Sequence, residues 1–163
     1  MNLRKISATQ AILAALVITS LINFLIFKMK VVGITSIHLQ SSEFFFPSSK
    51  VIGSVWTLLL SCLAYSFSRV IKSSMKHALW TIFLFLLCIF YPLYTFGFSF
   101  LPAMIFGNLV TIAVASFISG SLFSLYKVES FLTLLIALWV IFVSDLMFFI
   151  NWMRSNGWSA ICI

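Results

Sequence analysis

An all-α membrane protein, a bundle of five transmembrane helices, is the fold class this sequence predicts, and three observations predict it. Of its 163 residues 63% are hydrophobic and only 8% are charged, a balance outside that of soluble globular domains. The few charges are separated by uncharged runs long enough to cross a bilayer. A spanning helix needs about 20 mostly apolar residues, at about 1.5 Å of rise each through a core of about 30 Å. Those runs are also continuous rather than alternating. Backbone in lipid must satisfy its own hydrogen bonds, so continuous runs mean helices, whereas barrel strands would alternate over about ten residues.

Each span follows from the charge map. No charge stands between Lys5 and Lys28, which sets a first span at 7–27. A basic start followed by an apolar run resembles a secretory signal peptide. This run is too long for one, and no small-residue cleavage site precedes Phe27-Lys28-Met29-Lys30, so a retained helix is expected. The gap between Lys50 and Arg69 holds a second span at 51–70. From His77 to Tyr126 no formal charge occurs, room for spans at 78–98 and 103–125. Gly97, Pro102 and Gly107 supply the turn chemistry that divides them. Pro92 should kink the third helix, because proline removes a backbone bond. From Ser130 to Met153 the only charge is Asp145, giving a fifth span at 131–152. Residues 1–163 then form a single membrane domain whose short loops leave no room for a soluble one.

A net charge of +7 could suggest nucleic acid, but the positions of the charges argue otherwise. The basic residues sit at span ends, as snorkelling and the positive-inside bias require. With this topology Arg4, Lys5, Arg69, Lys72, Lys76 and Lys127 share one side, and Lys28, Lys30, Lys50 and Arg154 the other. Six against four leaves the orientation open. A lipid bilayer is the expected environment, a bacterial cell membrane or a mitochondrial-type one, and no nucleic acid is expected as partner.

Catalytic machinery is not visible. No Gly-x-Ser-x-Gly, phosphate loop or zinc-protease motif occurs, and the chain is read as a non-enzyme. Cys62, Cys88 and Cys162 have no ligand or redox spacing, and His38, Glu43 and His77 form no metal constellation. No resident cofactor is therefore expected.

Aromatic residues carry more information. The second span starts Pro47-Ser48-Ser49-Lys50-Val51-Ile52-Gly53-Ser54-Val55-Trp56-Thr57, placing Trp56 deeper than the headgroup level where tryptophans usually lie. Tyr91, Tyr94-Thr95 and Phe98 mark the third span, and Trp139-Val140, Phe142 and Leu146 the fifth. Val143 is four residues from Trp139 and shares its helical face.

On these residues the chain resembles the TspO/MBR family of translocator proteins. Pro47, Val51, Gly53, Val55-Trp56-Thr57 and Leu59 fall in register with the family's second helix, and Trp139-Val140, Phe142 and Leu146 with its fifth. Ser48, Ile52 and Leu60 stand where the family has Pro, Phe and Tyr, and the third-helix asparagine is lost. The first loop, 28–50, carries Phe44-Phe45-Phe46 where the family has tryptophans, so phenylalanine would supply the ligand lid. Stacking survives that exchange; an indole N–H bond does not.

What the resemblance implies is a pocket among the helices that binds, and moves or senses, tetrapyrroles, haem or other flat hydrophobic ligands such as sterols. Its expected residues are Phe45, Pro47, Ile52, Trp56, Tyr91, Tyr94, Thr95, Trp139 and Val143, aromatic faces and apolar walls with a few polar groups. The alternative is a small transporter or channel subunit, or a membrane partner protein, unrelated to porphyrin. Asp145 lies about 240° around the helix from Trp139. Its expected role is an interhelical hydrogen bond, to Asn108, Asn151 or a serine, rather than ligand contact. The small-residue ridges Gly53-Thr57-Ser61 and Ser116-Gly120-Ser124 mark close helix approach, inside the bundle or in a homodimer.

Overall fold

The structure, a computed structural model, describes residues 6–28, 49–94 and 101–155. These form five helices: α1 (Ala8–Lys28), α2 (Ser49–Val70), α3 (Met75–Ile89), α4 (Leu101–Leu122) and α5 (Lys127–Ser155), with no strand among the described residues. The all-α bundle is as expected. Four helices are long and apolar enough to cross a membrane, and α3 is apolar but only 15 residues long. Outward-facing Val17, Phe24, Leu58, Leu109, Phe123 and Phe131 are all largely exposed. A surface this apolar belongs in lipid rather than water, so the chain is a membrane protein.

Helix boundaries show where local chemistry overrides hydropathy. Ser7 and Gln10 close a reciprocal capping box on α1: Gln10 N–H donates to Ser7 Oγ at 3.2 Å, and Ser7 N–H to Gln10 Oε1 at 3.0 Å. Ser74 caps α3, its Oγ lying 2.8 Å from His77 Nδ1. Against the predicted third span, 78–98, the regular helix runs Met75–Ile89, and residues 95–98 lie outside the described residues. Pro92 has no N–H to give the carbonyl one turn back, so the regular helix stops before it. The path continues as helical turns through Tyr91–Tyr94, with Tyr94 N–H reaching the Phe90 carbonyl at 3.3 Å. Helix α5 starts earlier than the predicted 131 because Glu129 sits buried in its first turn, where a carboxylate suits the helix dipole. Its Oε1 lies 3.5 Å from Arg69 Nε at the end of α2.

Helices α2, α5, α4 and α3 pack around a common core that includes Leu63, Leu84, Ile118, Ile136 and Val140. The α4–α5 interface is the most extensive, and α1 lies against α2 while only touching α3. Antiparallel α4 and α5 are joined near one end by Ser130 Oγ donating to the Ser119 carbonyl at 2.8 Å. Tyr126, before α5, hydrogen-bonds to Ser73 in the α2–α3 turn, so both turns lie at the same end of the bundle.

Both small-residue ridges point away from these interfaces. Gly53 and Thr57 are exposed, as are Ser116, Gly120 and Ser124. No atom beyond the helix itself lies within 4 Å of a Cβ placed on Gly53 or Gly120. Of the two roles left open for these ridges, contact inside the bundle is not the one Gly53, Thr57, Ser116, Gly120 and Ser124 show among the described residues, while Ser61 is half-buried. The seam that does bring backbones together is Ala11 and Ala15 of α1 against Ala64 of α2. Alanine is small enough for close approach and costs no side-chain entropy in a helix.

Candidate functional site

Where α3 gives way to the turns after Pro92, two tyrosines are delivered into the bundle. Their position follows from the chain's course: the regular helix would carry the next residues outward along its axis, and the wide turn at 93–94 keeps them at the core. The Tyr91 ring is 4.6 Å from that of Trp56 on α2, and 5.3 Å from that of Tyr94 at an interplanar angle of 71°. These are the offset and edge-to-face geometries that aromatic quadrupoles favour. Tyr91 is buried, whereas Trp56 and Tyr94 are half-buried and pack on the core.

Gly107 of α4 makes room for Tyr94. A Cβ on that residue would fall within the space of the Tyr94 ring, so only glycine allows the ring to lie on the α4 backbone. The Tyr94 hydroxyl is then 3.0 Å from Thr111 Oγ1, which itself donates to the Gly107 carbonyl at 2.8 Å. One turn of α4 thus supplies both the seat for the ring and the partner for its hydroxyl.

A second polar chain lies beside it. Asn108 Nδ2 donates to Ser144 Oγ at 2.8 Å, and Ser144 Oγ donates on to the Val140 carbonyl at 2.6 Å. The Tyr91 hydroxyl and the Asn108 side chain also interact. Asn108 is 4% exposed, an amide placed well inside the bundle. Trp139 packs on the same core, with its ring 5.7 Å from that of Phe142. Its indole N–H is buried and has no hydrogen-bond partner among the described residues. A buried donor left unpaired costs about 1–3 kcal/mol.

The expected site residues divide as follows. Tyr91 meets both Trp56 and Tyr94, and Trp139 and Val143 line the core from α5, Val143 being buried on Trp139's helical face. Ile52 is half-buried one turn before Trp56. Phe45, Pro47 and Thr95 lie outside the described residues. The residues missed from sequence are Gly107, Asn108, Thr111 and Ser144. A legible signal was present: Gly107, Asn108 and Thr111 fall at i, i+1 and i+4, so glycine and threonine share one face of an otherwise apolar span.

Asp145 is corrected. It was expected to bond to Asn108, Asn151 or a serine, but it is exposed on the outer surface of α5. The Asn108 amide is held by Ser144 instead, and one residue further along a helix turns the side chain by about 100°. The ion pair among the described residues is Arg69–Glu129, not one made by Asp145. Nor do His, Cys, Asp and Glu form a group of three that could hold a metal ion among the described residues.

Comparison of the chain with protein-family models, with curated proteins and with solved structures gives no match.

Proposed function

We propose that this membrane protein binds a flat hydrophobic ligand of the tetrapyrrole class, and moves or senses it, in the manner its resemblance to the TspO/MBR family implies. The observation that carries the reading is the convergence of Trp56 and Tyr94 on Tyr91, on the same core against which Trp139, with its unpartnered N–H, packs. Planar faces suit a flat ring system. The Trp139 N–H and the Asn108 amide suit a carboxylate or ring-edge acceptor, and an apolar lining with few placed polar groups is how such sites select a ligand.

Titration with protoporphyrin IX in detergent tests this, followed through porphyrin absorbance so that variants lacking a tryptophan remain comparable. Saturable binding is expected. Trp139→Phe, which keeps an aromatic ring and removes the N–H, should weaken it about tenfold, the loss of one hydrogen bond. Trp56→Ala should weaken it at least as much. A folded, helical sample with no saturable binding would sink the tetrapyrrole reading.

One observation favours the second reading, a subunit or partner of another membrane protein. Asp145 lies about 27 Å along α5 from Lys127, near the far edge of a core of about 30 Å, and faces outward among Phe142, Phe148 and Phe149. An acid inside a span ordinarily faces protein or water. Under this reading Asp145→Asn disrupts assembly, whereas under the first it leaves porphyrin affinity unchanged.

A further inference from the structure

A cleft of about 720 Å³ opens between α1 and α3, over a floor formed by α2. It exists because α1 is held to α2 by alanines. Ala11 and Ala15 bring the two backbones together at Ala64, while Ala14, beside them, leaves the neighbouring space empty. Helix α3 touches α1 only lightly, so among the described residues the gap is left open between them. This is a different place from the aromatic cluster, none of whose residues lines it.

The chemistry of the walls defines the occupant. Apart from Gln10 and Thr81 every lining residue is apolar, and the Thr81 hydroxyl is turned onto the His77 carbonyl at 2.9 Å. A molecule in the cleft therefore meets hydrocarbon along its depth and one exposed polar side chain at its head, Gln10, whose Oε1 already accepts from Ser7 N–H in the α1 cap. From Ile6 to Ile18 the cleft runs about 18 Å at 1.5 Å per residue. One leaflet of a hydrocarbon core of about 30 Å is about 15 Å deep. The cleft is thus about as long as one leaflet's acyl chain, and its Gln10 end is where the headgroup of such a lipid would lie.

Charge at that level is one-sided. The head of the cleft shares its end of the bundle with the α2–α3 and α4–α5 turns, where Lys72, Lys76 and Lys127 are exposed. The acid described there, Glu129, is buried and already paired with Arg69. The lysines are left to answer to headgroup phosphates. We propose that the α1–α3 cleft is a lateral binding site for one acyl chain of an anionic glycerophospholipid, whose headgroup is held at the α2–α3 turn by Lys72 and Lys76.

Native mass spectrometry of the full-length protein, released from detergent after incubation with phosphatidylglycerol or with phosphatidylcholine of the same acyl chains, tests this directly. One retained phosphatidylglycerol is expected, preferred over phosphatidylcholine. Ala14→Leu fills the cleft from an exposed position on α1, and Ile82→Trp fills it from the α3 wall. Each should cut retention of both lipids at least fivefold while circular dichroism stays that of the wild type. Lys72→Gln with Lys76→Gln should remove the preference, about fivefold per lysine, and leave phosphatidylcholine retention in place. Equal retention of the two lipids by the wild type, or undiminished retention in both filled variants, overturns the assignment. So does displacement of the lipid by protoporphyrin IX, which would put the tetrapyrrole in this cleft. Trp139→Phe should leave lipid retention unchanged, so failure here and failure of the porphyrin site read out separately.

Discussion

Helices α4 and α5 meet along their length, and α1 and α2 meet along a line; the two pairs show what side chains can and cannot do for helices in lipid. Between α4 and α5 the contact is stitched by polar groups at two depths, Ser130 to the Ser119 carbonyl near one end and Asn108 to Ser144 nearer the other. Between α1 and α2 no side-chain hydrogen bond is formed among the described residues, and alanines set the distance. In a solvent as apolar as the side chains themselves, burial of Leu or Ile gives little drive to association; packing and interhelical hydrogen bonds provide it. The bonded pair is closed and forms the wall of the aromatic cluster. The alanine pair is close at one seam and open beside it, which is why the cleft lies there.

The comparison breaks most sharply at Gly107. Gly107→Leu places a branched side chain where the Tyr94 ring lies, and overpacking of this kind typically costs about 1–3 kcal/mol. Loss of the Tyr94–Thr111 bond should accompany it, with porphyrin affinity falling in parallel; unfolding in detergent followed by circular dichroism measures the first, and the titration the second. Unchanged stability would mean that the ring has another seat and that glycine is not what positions it.

Asn108→Ala should have a smaller effect. It removes the donor to Ser144 but leaves the Ser144 hydroxyl satisfied by the Val140 carbonyl. Interhelical bonds in membranes are worth about 0.6–1.7 kcal/mol, and a loss in that range is expected. Ser130→Ala, at the other stitch, should match it. If both are silent, packing alone holds α4 to α5 and the contrast with α1–α2 loses its cause.

The smallest effect belongs to the outward ridge. Gly120→Ala meets no neighbouring atom and removes a glycine from a helix interior, so stability should hold or rise by up to about 1 kcal/mol. A loss instead would show that the α4 ridge is occupied in the membrane, and size-exclusion chromatography of the variant would report whether the occupant is a second copy.

Much of this was legible along the chain. Uncharged runs place α1, α2, α4 and α5 to within a few residues, because a span must be long and apolar whatever it packs against. Trp56 stood out by its depth in the second span and Tyr91 and Tyr94 as aromatic residues of the third, and Tyr91 contacts both of the others. Boundaries were less legible where a charge sits within a helix. A hydropathy reading pushes Glu129 out of α5, whereas the pairing with Arg69 and the helix dipole keep it in. Facing was less legible still. Gly53-Thr57-Ser61 has the spacing of a contact ridge, yet Gly53 and Thr57 are exposed, while Ala11, Ala15 and Ala64 look ordinary in sequence and form the seam.

The sequence by itself determined that the chain lives in a membrane as an all-α bundle, since composition and run length are properties of the chain alone. Tertiary structure decided which face of each helix points inward. That choice placed Asn108 on Ser144 and turned Asp145 outward, seated Tyr94 on Gly107, and opened the cleft beside Ala14. Hydrophobicity carries no directional information when every face of a helix is apolar. In such a helix the inward face is selected by interhelical hydrogen bonds and by the small side chains that permit approach, and both depend on what the neighbouring helix presents.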